Sequence, residues 1–88
     1  MSYVVEFSER ALKSLKKMNK SVSAMLFAWI KKNLDKTQNP RVHGKALTGG
    51  LSGLWRYRIG DYRIIAEISD AKICIIIIDI GHRGKIYD

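Results

Sequence analysis

Hydrophobic and polar residues follow a helical spacing in the first half of this chain and a strand-like alternation in the second. Residues 3–7 combine β-branched and aromatic side chains, which predicts a short first strand. Ser8 is suited to cap a helix that runs to about Met18, and a second helix begins near residues 21–22. This second helix ends at or before Asn39-Pro40, since the residue preceding a proline disfavours helix. The short connection between the two predicts an antiparallel helical hairpin.

The stretch from Gly53 to Ile65 predicts a β-hairpin around which the rest of the chain is organised. Its Gly60-Asp61 pair separates two runs rich in aromatic and β-branched residues, a pattern typical of a tight turn. Because side chains alternate across a strand, the first run has an apolar face and an arginine face. The apolar side chains are Trp55, Tyr57 and Ile59; the arginines are Arg56 and Arg58, and Arg63 follows in the returning strand.

A further strand is predicted at residues 73–80, where the run is apolar without alternation. Such a strand is covered on both faces and lies inside a sheet, so we expect the first strand to pair with its free side. The prediction is an α+β fold, one domain over residues 1–88: an N-terminal strand, the helical hairpin, and a three-stranded antiparallel meander. The strands form a four-stranded sheet in the order second, third, fourth, first. Residues 41–52, with three glycines, are expected to form a loop.

The single cysteine, Cys74, lies inside the apolar run of that last strand. It has no partner for an internal disulfide, which fits a reducing compartment, and its setting indicates a small buried hydrophobe rather than a nucleophile. The apolar run is far shorter than the about 20 residues that a membrane span needs. The first residues show no apolar segment typical of a signal peptide. We therefore expect a cytoplasmic protein that does not bind membranes.

The side chains that indicate chemistry are arginines, with one histidine and one tyrosine near the end of the chain. Several guanidiniums on one phosphate would hold it and stabilise the charge of a pentacoordinate transition state. In RNA the adjacent 2′-hydroxyl is a built-in nucleophile, so such a site needs no cofactor, and the sequence predicts no metal site. Histidine can act as an acid or base near neutral pH, and tyrosine can stack on a base. The candidate catalytic residues are Arg56, Arg58, Arg63, His82, Arg83 and Tyr87; the alternative is that the arginines are merely solvated.

The formal net charge is +8, which favours a polyanionic partner, with solubility alone as the alternative. Four lysines form a stripe opposite the apolar side of the first helix, and this stripe is either a solvated surface or a set of phosphate contacts. One more lysine lies in the loop expected over residues 41–52. The candidate RNA-binding residues are therefore Lys13, Lys16, Lys17, Lys20 and Lys45.

The segment from Gly53 to Ile65, followed by Ile80-Gly81-His82-Arg83 and Tyr87, resembles the RelE family of toxins from type II toxin–antitoxin systems. The likeness extends to the opening strand and to the Ser-Glu-Arg-Ala-Leu start of the first helix. It implies a small α+β domain and an mRNA endoribonuclease that works in the ribosomal A site and is silenced by a cognate antitoxin. The positive charge favours an acidic, RelB-like antitoxin, and contact with DNA is expected only through the antitoxin complex.

The resemblance also implies roles for individual residues. Arg63 corresponds to a stabiliser of the transition state, Arg83 to a partner of the leaving group, and Tyr87 to a residue that stacks on a base. The best-known members carry lysines where this chain has Arg56 and Arg58, and arginine almost never gives up its proton. The general base is then His82 or Tyr87, or positioning and charge supply most of the rate; His82 is preferred because related members use a histidine near the C-terminus.

Two other functions stay open at this point. The sister ParE family shares the fold and poisons DNA gyrase without cutting RNA. An attenuated RelE homologue would bind RNA or antitoxin but cleave slowly. In each case we expect the antitoxin to wrap the helices and the sheet, to cover the arginine face and to add a strand to an exposed sheet edge.

Overall fold

The computed structural model describes residues 2–86. One sheet contains five strands: β1 (Val4–Phe7), β2 (Lys45–Ala46), β3 (Trp55–Ile59), β4 (Tyr62–Ser69) and β5 (Cys74–His82). Their order is β1-β5-β4-β3-β2, with β1 parallel to β5 and every other pair antiparallel. The predicted α+β class is confirmed, and so is the predicted order of the four longer strands.

The sheet has one strand more than the sequence predicted. Lys45 and Ala46 pair with the start of β3, and Gly49–Leu51 form one turn of 3₁₀ helix. Both lie in the segment expected to be a loop. Two residues are too few to show an alternation, so this strand left no periodic mark in the sequence.

The two helices are α1 (Glu9–Lys17) and α2 (Lys20–Asn33). The Ser8 side chain accepts a hydrogen bond from the Ala11 backbone nitrogen at 3.0 Å, which confirms the predicted cap. Asn19 caps α2 in the same way through the Ser21 nitrogen at 2.8 Å, so α2 begins slightly earlier than predicted. Lys20 therefore lies at the start of α2 rather than on α1.

Both helices pack on one face of the sheet and bury its apolar side chains. Tyr57 and Ile59 of β3 and Ile64 of β4 join one core with Leu15 and Leu26 of the helices. Tyr57 has no exposed surface, and its hydroxyl donates to the Pro40 carbonyl oxygen at 2.7 Å. Its burial raises the pKa of Tyr57. The predicted apolar face of the hairpin is thus confirmed as the core face.

Strand β5 lies between β1 and β4, as expected for a run without polar alternation. Its pairing with β4 is interrupted once, because Ile65 lies opposite Asp79 while Ala66 lies opposite Ile77. Ile78 is therefore an extra residue, a β-bulge that reverses the alternation of side chains along the rest of the strand. Ile75 and Ile77 belong to the core before the bulge, and Ile80 belongs to it after the bulge.

A polar cluster fixes the start of the segment that leads from α2 to β2. The Tyr3 hydroxyl donates to one Asp70 carboxylate oxygen at 2.6 Å, and Arg41 donates to both Asp70 oxygens at 3.0 and 3.1 Å. The hydrogen bond from Arg41, followed by that from Tyr3, holds the pKa of Asp70 below its usual range. Arg41 is in this way tied to the turn between β4 and β5.

Candidate active site

Four basic side chains share the sheet face that the helices leave uncovered. In the antiparallel register Lys45 lies opposite Arg56, and Arg58 lies opposite Arg63. Directly opposed residues project from the same face, and Tyr57 and Ile59 occupy the other face, against the helices. We refer to Lys45, Arg56, Arg58 and Arg63 as the basic row. The sequence predicted the three arginines as one group, but only the pairing of β2 adds Lys45 to them.

The members of the row differ in exposure. Arg58 is exposed and Arg56 is half-buried, whereas Arg63 is only 4% exposed. The Arg63 guanidinium donates from Nη1 to the carbonyl oxygens of Gly60 at 2.9 Å and Tyr62 at 3.0 Å. Arg63 is thus held against the hairpin turn, and its position is fixed before any ligand arrives. A cation held in place in this way need not reorganise as negative charge develops on a substrate.

Arg83 approaches the same turn from the end of β5. Its backbone nitrogen donates to the Asp61 carbonyl oxygen at 2.7 Å, and its Nε lies 3.6 Å from Asp61 Oδ1. Its side chain is 62% exposed. The Gly60-Asp61 turn therefore contacts both Arg63 and Arg83, which the sequence predicted to act together although twenty residues separate them.

His82 does not join the basic row. It lies opposite Tyr62, one residue away from the Arg63–Gly81 pair, so its side chain is on the other face of the sheet. There its ring contacts Tyr62 edge-on, with centroids 5.4 Å apart, and Nδ1 lies 2.9 Å from the Arg83 carbonyl oxygen. The expectation that His82 lies beside the arginines is therefore corrected, because strand alternation places it on the opposite face. Its role as general base stays a prediction that this position disfavours.

Gly81 provides the space in which the chain folds back after β5. It lies opposite Arg63, and an ideal Cβ built on it would lie 3.3 Å from the Cβ of Ile86. Arg83 and Ile86 form an isolated β-bridge, and the Lys85 nitrogen donates to the His82 carbonyl oxygen at 3.1 Å. Ile86 is thus seated over Gly81, on the face of the basic row. Tyr87 follows directly in sequence and lies outside the described residues.

Gly81→Ala is expected to displace Ile86 by a few tenths of an ångström. The added methyl would also lie 3.6 Å from Cδ1 and Cγ2 of Ile86, so the chain end must yield to relieve the contact with Cβ. The methyl resonances of Ile86 in a ¹H–¹³C spectrum would report the shift. Gly50→Ala is the matched control, since an ideal Cβ there meets nothing within 4 Å. Unchanged Ile86 resonances in Gly81→Ala would contradict the packing of Ile86 over Gly81.

Comparison with known proteins identifies the family. A family model described as the ParE toxin of the type II toxin–antitoxin system parDE matches residues 5–87. The chain belongs to this toxin family. Toxin RelG of Mycobacterium tuberculosis is 30% identical to it over 87 residues, covering 99% of this chain and 98% of RelG. The mRNA interferase toxin RelE of Escherichia coli is 28% identical over 87 residues, covering 97% of this chain and 87% of that protein.

Solved structures agree with this assignment. The toxin–antitoxin complex RelBE2 from Mycobacterium tuberculosis contains a chain that matches with a TM-score of 0.86 at 28% identity, covering 94% of this chain and all of that one. The isolated Escherichia coli RelE toxin matches with a TM-score of 0.73 at 25% identity, covering 92% and 84%. The predicted membership in the RelE/ParE superfamily of type II toxins is thereby confirmed.

The lysine stripe of the toxin lies apart from the basic row. Lys13, Lys16 and Lys17 on α1 and Lys20 on α2 are all exposed. They belong to the helical layer, whereas the row occupies the opposite face of the sheet. The two sets of cations therefore lie on opposite sides of the sheet, and the RNA-binding role of the lysine stripe stays a prediction.

The cysteine of the toxin is buried, as predicted. Cys74 is 2% exposed, and its thiol donates to Glu6 Oε2 at 2.7 Å. Burial, followed by this hydrogen bond, raises the pKa of Cys74 to about 11, so the thiol stays protonated near neutral pH. Across residues 2–86, no three or more His, Cys, Asp and Glu side chains are grouped so as to hold a metal ion. No helix in that same range has the length and apolar character required to span a membrane.

Proposed function

We propose that this toxin is a ribosome-dependent endoribonuclease that cleaves mRNA by attack of the 2′-hydroxyl on the adjacent phosphate. The observation that carries the proposal is the basic row beside Arg83: four cations on the sheet face away from the helices, with Arg63 and Arg83 meeting at one turn. The relative named mRNA interferase toxin RelE supports it. We place the activity in the cytoplasm, where mRNA is translated.

In the proposed reaction the 2′-oxygen forms a bond to phosphorus and the bond to the 5′-oxygen breaks. The 2′-hydroxyl loses a proton, the departing 5′-oxygen gains one, and a 2′,3′-cyclic phosphate remains. Arg63 stabilises the extra negative charge on the phosphate, and the exposed Arg83 interacts with the leaving oxygen. Tyr87 stacks on the base beside the cut. Since His82 lies on the other face, positioning and charge supply most of the rate.

The basic row also defines how the toxin is silenced. We propose an acidic antitoxin as partner, because the chain has a net charge of +8 and similar chains have been solved in RelB–RelE complexes. The antitoxin covers the basic row and so blocks access of RNA to it. Contact with DNA then occurs only through the complex.

Primer extension on mRNA bound to programmed ribosomes tests the activity. We expect cuts within the A-site codon, products that end in a 2′,3′-cyclic phosphate, and little cutting of the same RNA off the ribosome. The matched control is an mRNA with a single 2′-deoxynucleotide at the cut position, which must resist cleavage at that bond. Cutting of this deoxy substrate at the unmodified rate would refute attack by the 2′-hydroxyl.

The ParE-type function is the second candidate, because the matching family model bears that name. Under it the toxin would inhibit DNA gyrase and leave mRNA intact. A gyrase supercoiling assay run beside the ribosome assay separates the two. Loss of supercoiling without mRNA cuts would favour the ParE-type function, and cuts with normal supercoiling would favour the ribonuclease.

A further inference from the structure

A cleft of about 450 Å³ opens at the sheet edge beside the basic row. β2 pairs only with the first two residues of β3, so strand pairing does not cover the edge next to Arg58. Side chains from α2, from β2 and the segment before it, and from β3 reach this edge together. The lining includes two aromatic rings and three cations, Trp29, His43, Lys45, Arg56 and Arg58, together with Val42 and Gly44.

The aromatic wall of the cleft is held from behind. The Trp29 ring packs on the buried Tyr57 ring with centroids 5.8 Å apart, and the His43 ring meets Trp29 edge-on at the same distance. The Trp55 indole nitrogen donates to the His43 carbonyl oxygen at 2.7 Å. The core thus supports one ring and a hydrogen bond anchors the backbone of the other, so this wall exists without a ligand.

Gly44 brings the wall and the cations together. Its φ is +84°, a conformation that side chains disfavour, and a Cβ added there would overlap the carbonyl oxygen of Arg56. Only glycine lets the backbone pass this close to β3. This close passage brings His43 into the cleft that Lys45 and Arg56 also line.

We propose that this cleft binds the base of one unpaired RNA nucleotide next to the phosphate that is cut. Sites for single-stranded nucleic acid combine aromatic surfaces, on which bases stack, with cations that hold the phosphates, and this cleft combines both. Its volume falls within the range of sites that enclose small ligands. Arg56 and Arg58 belong both to the cleft and to the basic row, so the bound nucleotide is continuous with the proposed scissile phosphate. The inference rests on the proposed function for the identity of the RNA.

The test measures the affinity of the toxin for a short single-stranded RNA that carries a 2′-deoxynucleotide at the cut site and therefore stays intact. We expect Trp29→Leu and His43→Ala each to weaken binding by about tenfold, since each removes a stacking surface. Phe27→Ala is the matched control, because Phe27 is an exposed aromatic residue on α2 outside the cleft, and it should bind as the wild type does.

Two further measurements separate stacking from charge. Trp29→Leu should leave the salt dependence of binding unchanged, whereas Lys45→Ala should reduce the slope of log K against log salt by about 0.7, the value for one phosphate contact on a single strand. An abasic nucleotide scanned along the RNA should weaken binding at one position in the wild type. An abasic nucleotide at that same position should not weaken RNA binding by Trp29→Leu any further.

The result that overturns the proposal is equal RNA affinity of His43→Ala, Phe27→Ala and the wild type, with no sensitive abasic position. His43 is exposed, so His43→Ala decides the matter even if Trp29→Leu fails to fold. If Trp29→Leu and His43→Ala weaken binding of the antitoxin but not of RNA, the proposal is also overturned and the cleft is assigned to antitoxin binding. If the abasic effect is present but ribosome-bound mRNA is not cut, the proposed function is wrong, whereas the assignment of the cleft as a base-binding site is retained.

Discussion

Arg83→Ala is expected to slow mRNA cleavage by about 10²- to 10³-fold, the usual cost of removing one group that stabilises transition-state charge. The fold should survive, because the Arg83 side chain is 62% exposed and its ion pair with Asp61 spans 3.6 Å. Exposed pairs of this kind contribute only about 0–1 kcal/mol to stability. Single-turnover cleavage on programmed ribosomes gives the rate, and thermal unfolding gives the stability.

Lys85→Ala is the matched control for Arg83. It removes one exposed positive charge two residues away, at a position that is not assigned to the reaction. It should therefore cut at nearly the wild-type rate. Both variants should still bind the antitoxin. If Arg83→Ala cleaves at the wild-type rate, Arg83 has no role in the mechanism. If both variants lose the same fraction of the cleavage rate, the loss is an effect of net charge.

Arg63→Ala is expected to lose both cleavage and stability. The guanidinium is 4% exposed and donates to two carbonyl oxygens of the hairpin turn, so its removal leaves those oxygens without this donor. We expect a loss of about 1–3 kcal/mol in the free energy of unfolding. In a chain of this size each kcal/mol lowers Tm by about 4–8 °C. Cleavage should fall by at least about 10²-fold through loss of charge stabilisation.

Arg63→Lys separates these two effects. Lysine keeps the positive charge but lacks the guanidinium whose Nη1 donates to both carbonyl oxygens. We expect it to recover part of the cleavage rate while the turn stays weakened. If Arg63→Ala unfolds at the same Tm as the wild type, the guanidinium does not hold the turn. If it also cuts at the same rate, Arg63 has no place in the site.

Much of the fold and part of the site follow from local patterns. Ser8 as a helix cap, the turn at Gly60-Asp61 and the apolar face of β3 depend on residues a few positions apart, and the structure confirms each of them. Arg56 and Arg58 could be assigned to the face away from the core because alternation along one strand is a local rule.

The neighbours of those arginines depend on contacts between distant residues, which leave no period in the sequence. The position of Lys45 beside Arg56 is set by a two-residue strand whose register only the folded sheet defines. His82 lies away from Arg63 because the bulge at Ile78 shifts the alternation of β5 by one residue. No pattern near His82 signals that shift.

By itself, then, the sequence determined the order of the two helices and the four longer strands, the arginine face of the hairpin and the toxin superfamily, because each follows from residue spacing or from a motif. Only the tertiary structure decided that Arg63 is buried against its own turn, that His82 lies across the sheet, and that Trp29 and His43 form a wall beside Arg56. The physical reason is that register, a single bulge and close packing between distant segments set which face and which neighbour each side chain has.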